Sequence, residues 1–329
     1  MANIHSFESL AAVDGEGLRF DIFFTGCPLR CAYCHNPDTW RKGEIDMEAD
    51  EVFRKVRRYK PYFKNGGGVT FSGGEPLLNA KFINEIYPML KSEQIGYCLD
   101  TSGSVELTDE VKTAVENADM IILDIKFCEP EAYKKWTKGN FALPEAIGRF
   151  ATEKGKRLWL RTVVVPGIND TEADMDAYAE YTKQFKFEKY ELLAFHTMGF
   201  FKYEESGIEN PLKDYKALDK GRLNELQEYL NNKIKEYLNQ NKSLTFNSLL
   251  FSYIDEGGYK DAEIYKRAGI DRKLFSKIRC NNNYIPKKNT VIKLCLSLSL
   301  DKNRFNNLLS SAGYSLSKNN NFDLVISYC

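Results

Sequence analysis

The stretch Cys27-Pro-Leu-Arg-Cys31-Ala-Tyr-Cys34-His-Asn-Pro37 carries three thiols at the spacing Cys-x3-Cys-x2-Cys. Three thiolates are one ligand short of filling a tetrahedral metal site or the four corners of an iron–sulfur cubane. A four-iron cluster held at three corners leaves one iron free, and a ligand on that iron can receive an electron directly from the cluster. The spacing favours such a cluster.

Two other interpretations of these cysteines stay open at this point. Cys34 and His35 can complete a Cys3His zinc site, because zinc accepts thiolate and imidazole ligands together. The thiols can also be ordinary buried side chains, which is common for free cysteine.

The composition predicts a folded protein of a reducing compartment. The chain has 329 residues, of which 43% are hydrophobic, so it is long enough for two domains with a substantial core. It contains no run of about 18 apolar residues and no basic-then-apolar signal pattern, so we expect a cytoplasmic protein without membrane contact. Its eight cysteines are unevenly spread, unlike a secreted disulfide framework.

The distribution of charge divides the chain. Residues 243–329 carry 13 Lys and Arg against 7 Asp and Glu, a net charge of +6. The other 33 basic and 39 acidic residues give residues 1–242 a net charge of −6. Two segments of opposite sign suggest two separate roles. We therefore predict one domain over 1–242 and a second, small all-α domain over 243–329.

Short β-branched or aromatic runs alternate with amphipathic stretches in the first domain, which predicts an α/β fold with a parallel sheet curved toward a barrel. The predicted strands are 18–25, 68–71, 95–100, 120–125, 158–165 and 190–193. The predicted helices are 47–59, 81–93, 109–117, 144–154 and 171–185, closed by an amphipathic helix over 219–240.

Candidate functional residues lie near the carboxyl ends of these predicted strands. Functional groups gather at the carboxyl ends of parallel strands, so we expect them at one rim. The residues at or just after the end of a predicted strand are Cys27, Gly73, Asp100, Asp124, Val165-Pro166 and His196.

Each of these motifs also has a structural interpretation. Gly73 and Gly74 permit close approach of a ligand, but a Gly-Gly turn is often only a loop. Asp124 and Lys126 can bind a ligand or form a simple ion pair. Arg161 lies in an apolar strand, where an unpaired charge is costly, so it should meet a carboxylate or a ligand.

Taken in order, the motifs resemble those of the radical S-adenosylmethionine (SAM) enzymes, and within them the glycyl-radical-enzyme activases of the pyruvate formate-lyase type. The resemblance covers 1–242. The motifs that carry it are His5-Ser-Phe-Glu-Ser, Val13-Asp-Gly-Glu-Gly-Leu-Arg-Phe, the cysteine stretch through Trp40, Gly73-Gly74-Glu75-Pro76, Leu99-Asp-Thr-Ser-Gly, Leu123-Asp-Ile-Lys126, Arg161-Thr-Val-Val-Val-Pro-Gly and Phe195-His-Thr-Met-Gly199.

The resemblance implies a partial (β/α)6 barrel that holds a [4Fe-4S] cluster and SAM. It implies that an electron from flavodoxin or ferredoxin cleaves SAM to a 5′-deoxyadenosyl radical. That radical would take a hydrogen atom from one glycine of a partner lyase. The cofactor supplies the difficult chemistry, and the protein orients and shields it.

The resemblance also assigns cofactor-binding residues. Cys27, Cys31 and Cys34 would bind the cluster. Tyr33 and His35 would lie on the adenosyl side of SAM.

Further assignments concern the methionyl and ribose groups of SAM. Gly73, Gly74 and Glu75 would meet the methionine amine, and Arg161 would lie near the methionyl carboxylate. Asp124, Ile125, Lys126 and His196 would hold the ribose and methionyl groups, with Lys126 and Arg161 as the catalytic side chains. Asp100 and Thr101 resemble part of a monovalent-cation site.

Residues 35–71 contain no cysteine, unlike activases that insert ferredoxin-like segments, so one cluster is expected. Two alternative functions stay open. The first is a radical SAM reaction on a small molecule, and the second is a zinc-stabilised DNA-binding regulator with an inert barrel.

The basic C-terminal segment resembles a phage-repressor-type helix-turn-helix over 261–279. Ala268-Gly269 would form the turn, Asp271 would cap the second helix, and Leu274 and Ile278 would face inward. Arg272, Lys273, Ser276 and Lys277 would then face DNA. Docking on a protein is favoured over nucleic-acid binding, because the second helix has no Asn or Gln to read a base.

Overall fold

The computed structural model describes residues 1–41, 43, 45–240, 245–281, 284–316, 323 and 326. It divides into two compact units, Met1–Lys235 and Glu236–Cys329. The boundary predicted after residue 242 lies within 241–244, outside the described residues.

One eight-stranded sheet organises the first unit. Its strands are β1 (Ala2–Ala11), β2 (Arg19–Phe24), β3 (Ile45–Met47), β4 (Gly68–Gly73), β5 (Gly96–Thr101), β6 (Met120–Asp124), β7 (Arg157–Val164) and β8 (Lys189–Ala194). The order across the sheet is β3-β1-β2-β4-β5-β6-β7-β8. The six strands from β2 to β8 in this order are parallel, and β1 pairs antiparallel with β2 and β3.

The six predicted strands are confirmed as the parallel part of the sheet, and the partial (β/α)6 fold class is confirmed with them. Strands β1 and β3 were not predicted. Strand β1 has a half-buried to exposed middle and polar side chains, so it lacks the apolar run of the central strands.

Helices connect the parallel strands and cover the sheet. They are α1 (Ala49–Arg57), α2 (Ala80–Ser92), α3 (Asp109–Asn117), α4 (Pro130–Thr137), α5 (Ala142–Glu153), α6 (Glu172–Tyr181), α7 (Phe200–Glu205) and α8 (Lys220–Gln240). Helices α4 and α7 were not predicted, because they are only eight and six residues long. Thr108 and Thr171 cap α3 and α6 with side-chain hydrogen bonds to backbone amides.

The core of the first unit lies between the sheet and these helices. Leu226 and Leu230 of α8 are fully buried in it, and Leu223 and Ile234 pack against it at half-buried positions. The apolar stripe predicted for this helix is therefore confirmed at these four positions. It is wrong at Leu238, which is 54% exposed.

The second unit is all-α in its described part. Its helices are α9 (Phe246–Glu256), α10 (Asp261–Arg267), α11 (Arg272–Cys280), α12 (Lys288–Ser297) and α13 (Lys302–Ser311). The Asp271 side chain accepts a hydrogen bond from the Lys273 amide and caps α11, as predicted. Ile278 is buried as predicted, whereas Leu274 is only half-buried and Phe275 fills the inward position.

No helix in the described part of the chain is long and apolar enough to cross a membrane. The carboxyl ends of β2, β4, β5, β6, β7 and β8 lie at the same edge of the sheet, because these strands are parallel and pair in register. The candidate site residues lie at this edge.

Candidate functional site

A cavity of about 320 Å³ opens at the carboxyl edge of the sheet. The predicted site residues that line it are Cys27, Cys31, Tyr33, Cys34, His35, Gly73, Gly74, Asp100, Asp124, Lys126 and Arg161. Four other predicted residues, Glu75, Thr101, Ile125 and His196, are not part of its lining.

The cysteine loop follows β2 and is fastened to the end of α4. The Arg30 amide donates to the Thr137 carbonyl at 2.7 Å, and the Ala32 amide donates to the Trp136 carbonyl at 2.8 Å. The Arg30 guanidinium donates to the Cys27 carbonyl at 2.7 Å. These bonds position the loop independently of any bound group.

All three thiols are free, and their surroundings disfavour the thiolate form in the absence of a metal. Burial raises the pKa of Cys27 to about 12 and raises the pKa of Cys31 and Cys34 above the usual value. Binding iron displaces these protons, because a coordinating thiol is deprotonated by the metal.

The thiols do not form a site for one metal ion. Within the described ranges, no three His, Cys, Asp or Glu side chains converge closely enough to hold a single ion. A four-iron cluster instead needs its thiolates on separate irons. Within the described residues, Cys34 and His35 thus do not belong to a convergent three-ligand group.

The Gly-Gly turn closes against the cysteine loop. Gly73 has φ of +107° at the end of β4, a conformation that glycine adopts without strain. A Cβ on Gly74 would lie 2.1 Å from the Gly26 carbonyl oxygen and 3.3 Å from the Cys27 Cβ. Both glycines thus let the backbone approach the thiols and line the cavity with peptide groups.

Glu75 does not face the cavity. It is fully buried, and its two carboxylate oxygens accept hydrogen bonds from the Leu77 amide, the Thr101 hydroxyl, and the amide and hydroxyl of Ser102. Its acceptor positions are thus used inside the protein, and the contact between Glu75 and the methionine amine of SAM stays a prediction.

Asp124 and Lys126 lie on the cavity wall as an ion pair of 2.6 Å at the end of β6. Burial lowers the pKa of Lys126, but Asp124 together with Cys31 and Tyr33 outweighs burial, so the pKa stands well above the usual value and the amine stays charged. Ile125 between them points into the hydrophobic core, as strand alternation requires. Its expected contact with SAM stays a prediction.

Arg161 on β7 is the centre of a charge network on the cavity wall. Its guanidinium lies 3.1 Å from Asp14, 3.6 Å from Asp100 and 3.5 Å from Glu191. Burial lowers its pKa, but these carboxylates and Asp124 raise it above the usual value. Its Nε is buried without a hydrogen-bond partner and is free to bind a ligand.

Asp100 and Thr101 lie on opposite sides of β5. Asp100 lines the cavity, accepts a hydrogen bond of 2.7 Å from Ser72, and has its pKa raised to about 6 by burial, against the effect of Arg161. Thr101 instead donates to Glu75 at 2.5 Å. The Thr101 hydroxyl is therefore used inside the protein, and the cation site at Asp100 and Thr101 stays a prediction.

His35 and His196 stack on each other, with ring centroids 3.7 Å apart and planes 13° from parallel. Burial, followed by the neighbouring His196, lowers the pKa of His35 to about 4, so its ring is neutral near pH 7. His35 Nε2 and His196 Nδ1 are buried without partners. His196 thus reaches the site through His35 rather than by lining the cavity.

Sequence reasoning missed Asp14 and Ser72 as lining residues. Both lie in motifs that were recognised, directly after the exposed Val13 and directly before Gly73. Asp14 contacts Arg161 and Ser72 contacts Asp100, in each case more than 25 positions away along the chain, so no local pattern could reveal these contacts.

The site fits a cluster with SAM. Buried polar atoms without partners on Tyr33, His35, Arg161 and His196 require a ligand or water, since buried polar groups are normally bonded. The carboxylates and cations of the wall match a zwitterionic amino-acid moiety, and the soft thiolates match iron.

Comparisons with known proteins agree with this chemistry. The sequence model of the radical SAM superfamily matches residues 22–179. The pyruvate formate-lyase-activating enzyme of Clostridium pasteurianum is 39% identical over 234 residues, which are 70% of this chain and 97% of that enzyme. The enzyme of the same name from Staphylococcus aureus (strain USA300) is 38% identical over 243 residues, 71% of this chain and 96% of that enzyme.

A solved structure shares the fold. Streptococcus suis SuiB bound to S-adenosylmethionine superposes with a TM-score of 0.51 at 16% identity, over 64% of this chain and 46% of that chain.

The fold and the three-thiol cavity thus define a radical SAM enzyme, a class that uses a [4Fe-4S] cluster and SAM. The chain belongs to the pyruvate formate-lyase-activating enzyme family. An inert barrel in a zinc-stabilised regulator is excluded by this membership.

Proposed function

We propose that this chain activates a pyruvate formate-lyase by removing a hydrogen atom from one of its glycines. The observation that carries the proposal is the single cavity into which Cys27, Cys31 and Cys34 open beside the Gly73-Gly74 turn. When bound, the cluster and SAM supply the one-electron chemistry that removes the hydrogen atom.

We assign the iron-binding role to Cys27, Cys31 and Cys34. Their loop is fixed by backbone bonds to α4, so the thiols are positioned before iron arrives. The peptide groups of Gly73 and Gly74 would receive the methionine amine of SAM, because no side chain separates them from the cavity.

Charged wall residues would orient SAM. Arg161 has an unpartnered Nε beside the cavity, which suits the methionyl carboxylate. Lys126 stays charged beside Asp124 and offers a second cation, while the Asp124 carboxylate can accept from ribose hydroxyls. Tyr33 and the neutral His35, stacked on His196, would bound the adenosyl side.

The wall also controls water and charge. Leu29, Val163 and Leu193 contribute apolar surface to the lining, so a bound ligand is shielded on that side. The positive charge of Arg161 compensates the negative charges of Asp14 and Asp100. The ion pairs therefore hold this part of the cavity wall in place without a ligand.

Pyruvate formate-lyase is proposed as the protein substrate because the relatives carry its name and this chain spans nearly their whole length. Flavodoxin or ferredoxin is proposed as the electron donor, since reductive cleavage of SAM requires a one-electron reductant. The free thiols suit a reducing cytoplasm.

The test is electron paramagnetic resonance on a mixture of the anaerobically reconstituted chain, SAM, a chemical reductant and pyruvate formate-lyase. We expect a glycyl-radical doublet on the lyase, and its absence when Cys31→Ser replaces the wild type. Reductive SAM cleavage without a radical on the lyase would contradict the proposal and would favour a small-molecule substrate.

A further inference from the structure

Helix α11 presents a basic face to solvent. Its nine residues include Arg272, Lys273, Lys277 and Arg279, and they include no acidic residue. These four side chains and Ser276 are exposed, whereas Phe275 and Ile278 are buried in the core of the second unit. The helix therefore has one apolar face inward and one cationic face outward.

Three of these cations are not neutralised. Among the residues that the structure describes, Arg272 and Lys273 have no ion pair, and Lys277 contacts only the ring of Tyr284, at 4.3 Å. Their charge is therefore available to a partner.

Most acidic side chains in the described part of this unit are already bonded, and Asp261 neutralises the fourth cation of α11, Arg279. The acidic partners are joined as Glu256 to Arg304 at 3.1 Å, Glu263 to Arg267 at 3.5 Å, and Asp261 to Arg279 at 2.5 Å. Asp271, the one carboxylate at the start of α11, bonds the Lys273 amide at 2.6 Å.

The neighbouring helices hold α11 in a fixed pose. The chain turns between α10 and α11 at Gly269, whose φ is +59°. The ion pair between Asp261 and Arg279 joins the start of α10 to the end of α11. The Asn247 side chain of α9 donates to the Ile278 carbonyl, so α11 is held from a second side. Because these contacts fix its orientation, α11 can bind a partner as a rigid element.

We infer that α11 binds double-stranded DNA, with its cationic face in the major groove. The groove is wide enough for an α-helix, and a short helix pair joined by a tight turn is the arrangement that places the second helix there. Arg272 and Lys273 lie at the leading end of α11, and Lys277 lies one turn further on the same face. At these positions the side chains can contact backbone phosphates or the guanine edges in the groove.

This inference replaces the sequence-based preference for docking on a protein. That preference depended on the absence of Asn and Gln, which argues only against reading adenine. Backbone phosphates supply most of the affinity of such helices, and arginine reads guanine. A protein-docking face would be expected to expose apolar anchors, but α11 exposes charges.

The test uses the full-length chain and a fluorescent duplex of about 30 base pairs, followed by anisotropy between about 50 and 200 mM salt. With three phosphate contacts, the affinity should fall by about 40-fold over this range. Arg272→Glu with Lys273→Glu should weaken binding more than tenfold and flatten the salt slope by about 1.8. Glutamate suits the first turn of a helix, so this variant should fold.

The matched control is Lys81→Glu with Lys302→Glu, which makes the same change in net charge at first-turn positions of α2 and α13. It should bind like the wild type. Equal loss in both variants, equal binding of single-stranded DNA, or no salt-dependent binding by the wild type would overturn the inference. Salt-insensitive association with a protein instead of the duplex would also overturn it and restore the docking interpretation.

Discussion

Opposite charges at the cavity wall are arranged so that each stabilises the other without a ligand. Arg161 is 8% exposed in its side chain and contacts Asp14, Asp100 and Glu191. Removing one member of such a buried set leaves an uncompensated charge, which is more costly than the net worth of the set. Roles in binding are better tested at Lys126, because its replacement leaves one uncompensated carboxylate, Asp124, rather than several.

Lys126→Ala should weaken SAM binding by at least about tenfold, because a charge-assisted hydrogen bond to the ligand is lost. Anaerobic titration calorimetry on the reconstituted protein measures this. Lys135→Ala on α4, where the amine lies over the Trp136 ring, is the control and should bind SAM normally. Unchanged affinity in Lys126→Ala would remove this residue from the site.

Asp21 on β2 predicts a pH dependence of stability. It is fully buried, neither oxygen has a hydrogen-bond partner, and burial followed by the Asp14 charge raises its pKa to about 8. The fold therefore favours the protonated form. The stability it contributes is complete below the ordinary Asp pKa of about 3.9, decreases as pH rises, and is lost once pH passes about 8.

Asp21→Asn should thus gain stability relative to the wild type between about pH 5 and 8, by at most about 1.4 kcal/mol per pH unit, and then level off. Denaturant unfolding of the iron-free chain at several pH values measures this. Asp214→Asn, at an exposed position, should show no such trend. If the free energies of unfolding of Asp21→Asn and the wild type differed by the same amount at every pH, Asp21 would have to be ionised in the folded protein.

At the scale of elements, the cavity is made where two strand ends meet. The Gly74 amide donates to the Phe24 carbonyl at 2.9 Å, and the Glu75 amide donates to the Gly26 carbonyl at 2.9 Å. These bonds join the turn after β4 to the first residues of the cysteine loop. A side chain at Gly74 would push the turn after β4 away from the cysteine loop.

Gly74→Ala should reduce the iron bound per chain severalfold, because its Cβ would displace the Gly26 carbonyl and the Cys27 side chain. Iron and sulfide analysis after anaerobic reconstitution measures the loss. Gly155→Ala is the control: it adds backbone strain at φ of +63° but meets nothing within 4 Å. Normal iron content in Gly74→Ala would mean that the loop tolerates displacement.

The strands determine which parts of the site could be predicted from the sequence. The six parallel strands are apolar runs, and the residue after each one must lie at the carboxyl edge, so Cys27, Gly73 and Asp124 were placed correctly. Glu75 and Ile125 lie outside the cavity lining, because Glu75 is bonded to Thr101 and Ser102 at the end of β5 and Ile125 packs in the hydrophobic core. A motif names the segment, but the direction of each side chain depends on its neighbouring strands.

For the whole molecule, the sequence predicted the α/β barrel and the small all-α part, but not the contacts between distant strands. Asp14 meets Arg161 across 147 positions, a distance that local patterns do not encode. Strand β1 also lacks an apolar run, and its pairing with β2 and β3 depends on segments that are distant in the sequence.

Each unit has its own hydrophobic core, and all residues assigned to the cavity belong to the first unit. A chain that ends at Gln240 should therefore keep its iron content and activate the lyase within about twofold of the full-length rate. Radical yield per chain measures this. A truncated chain that folds and binds iron but loses activation would assign the second unit a role in recognising the lyase.

The central claim is that three thiols in one cavity hold a four-iron cluster. Iron and acid-labile sulfide analysis of the anaerobically prepared wild type, Cys31→Ala and Cys98→Ala tests it most directly, since Cys98 is a buried thiol away from the cavity. We predict about four irons and four sulfides for the wild type and Cys98→Ala, and severe loss for Cys31→Ala. Zinc without sulfide in the wild type, or full iron in Cys31→Ala, would contradict the claim.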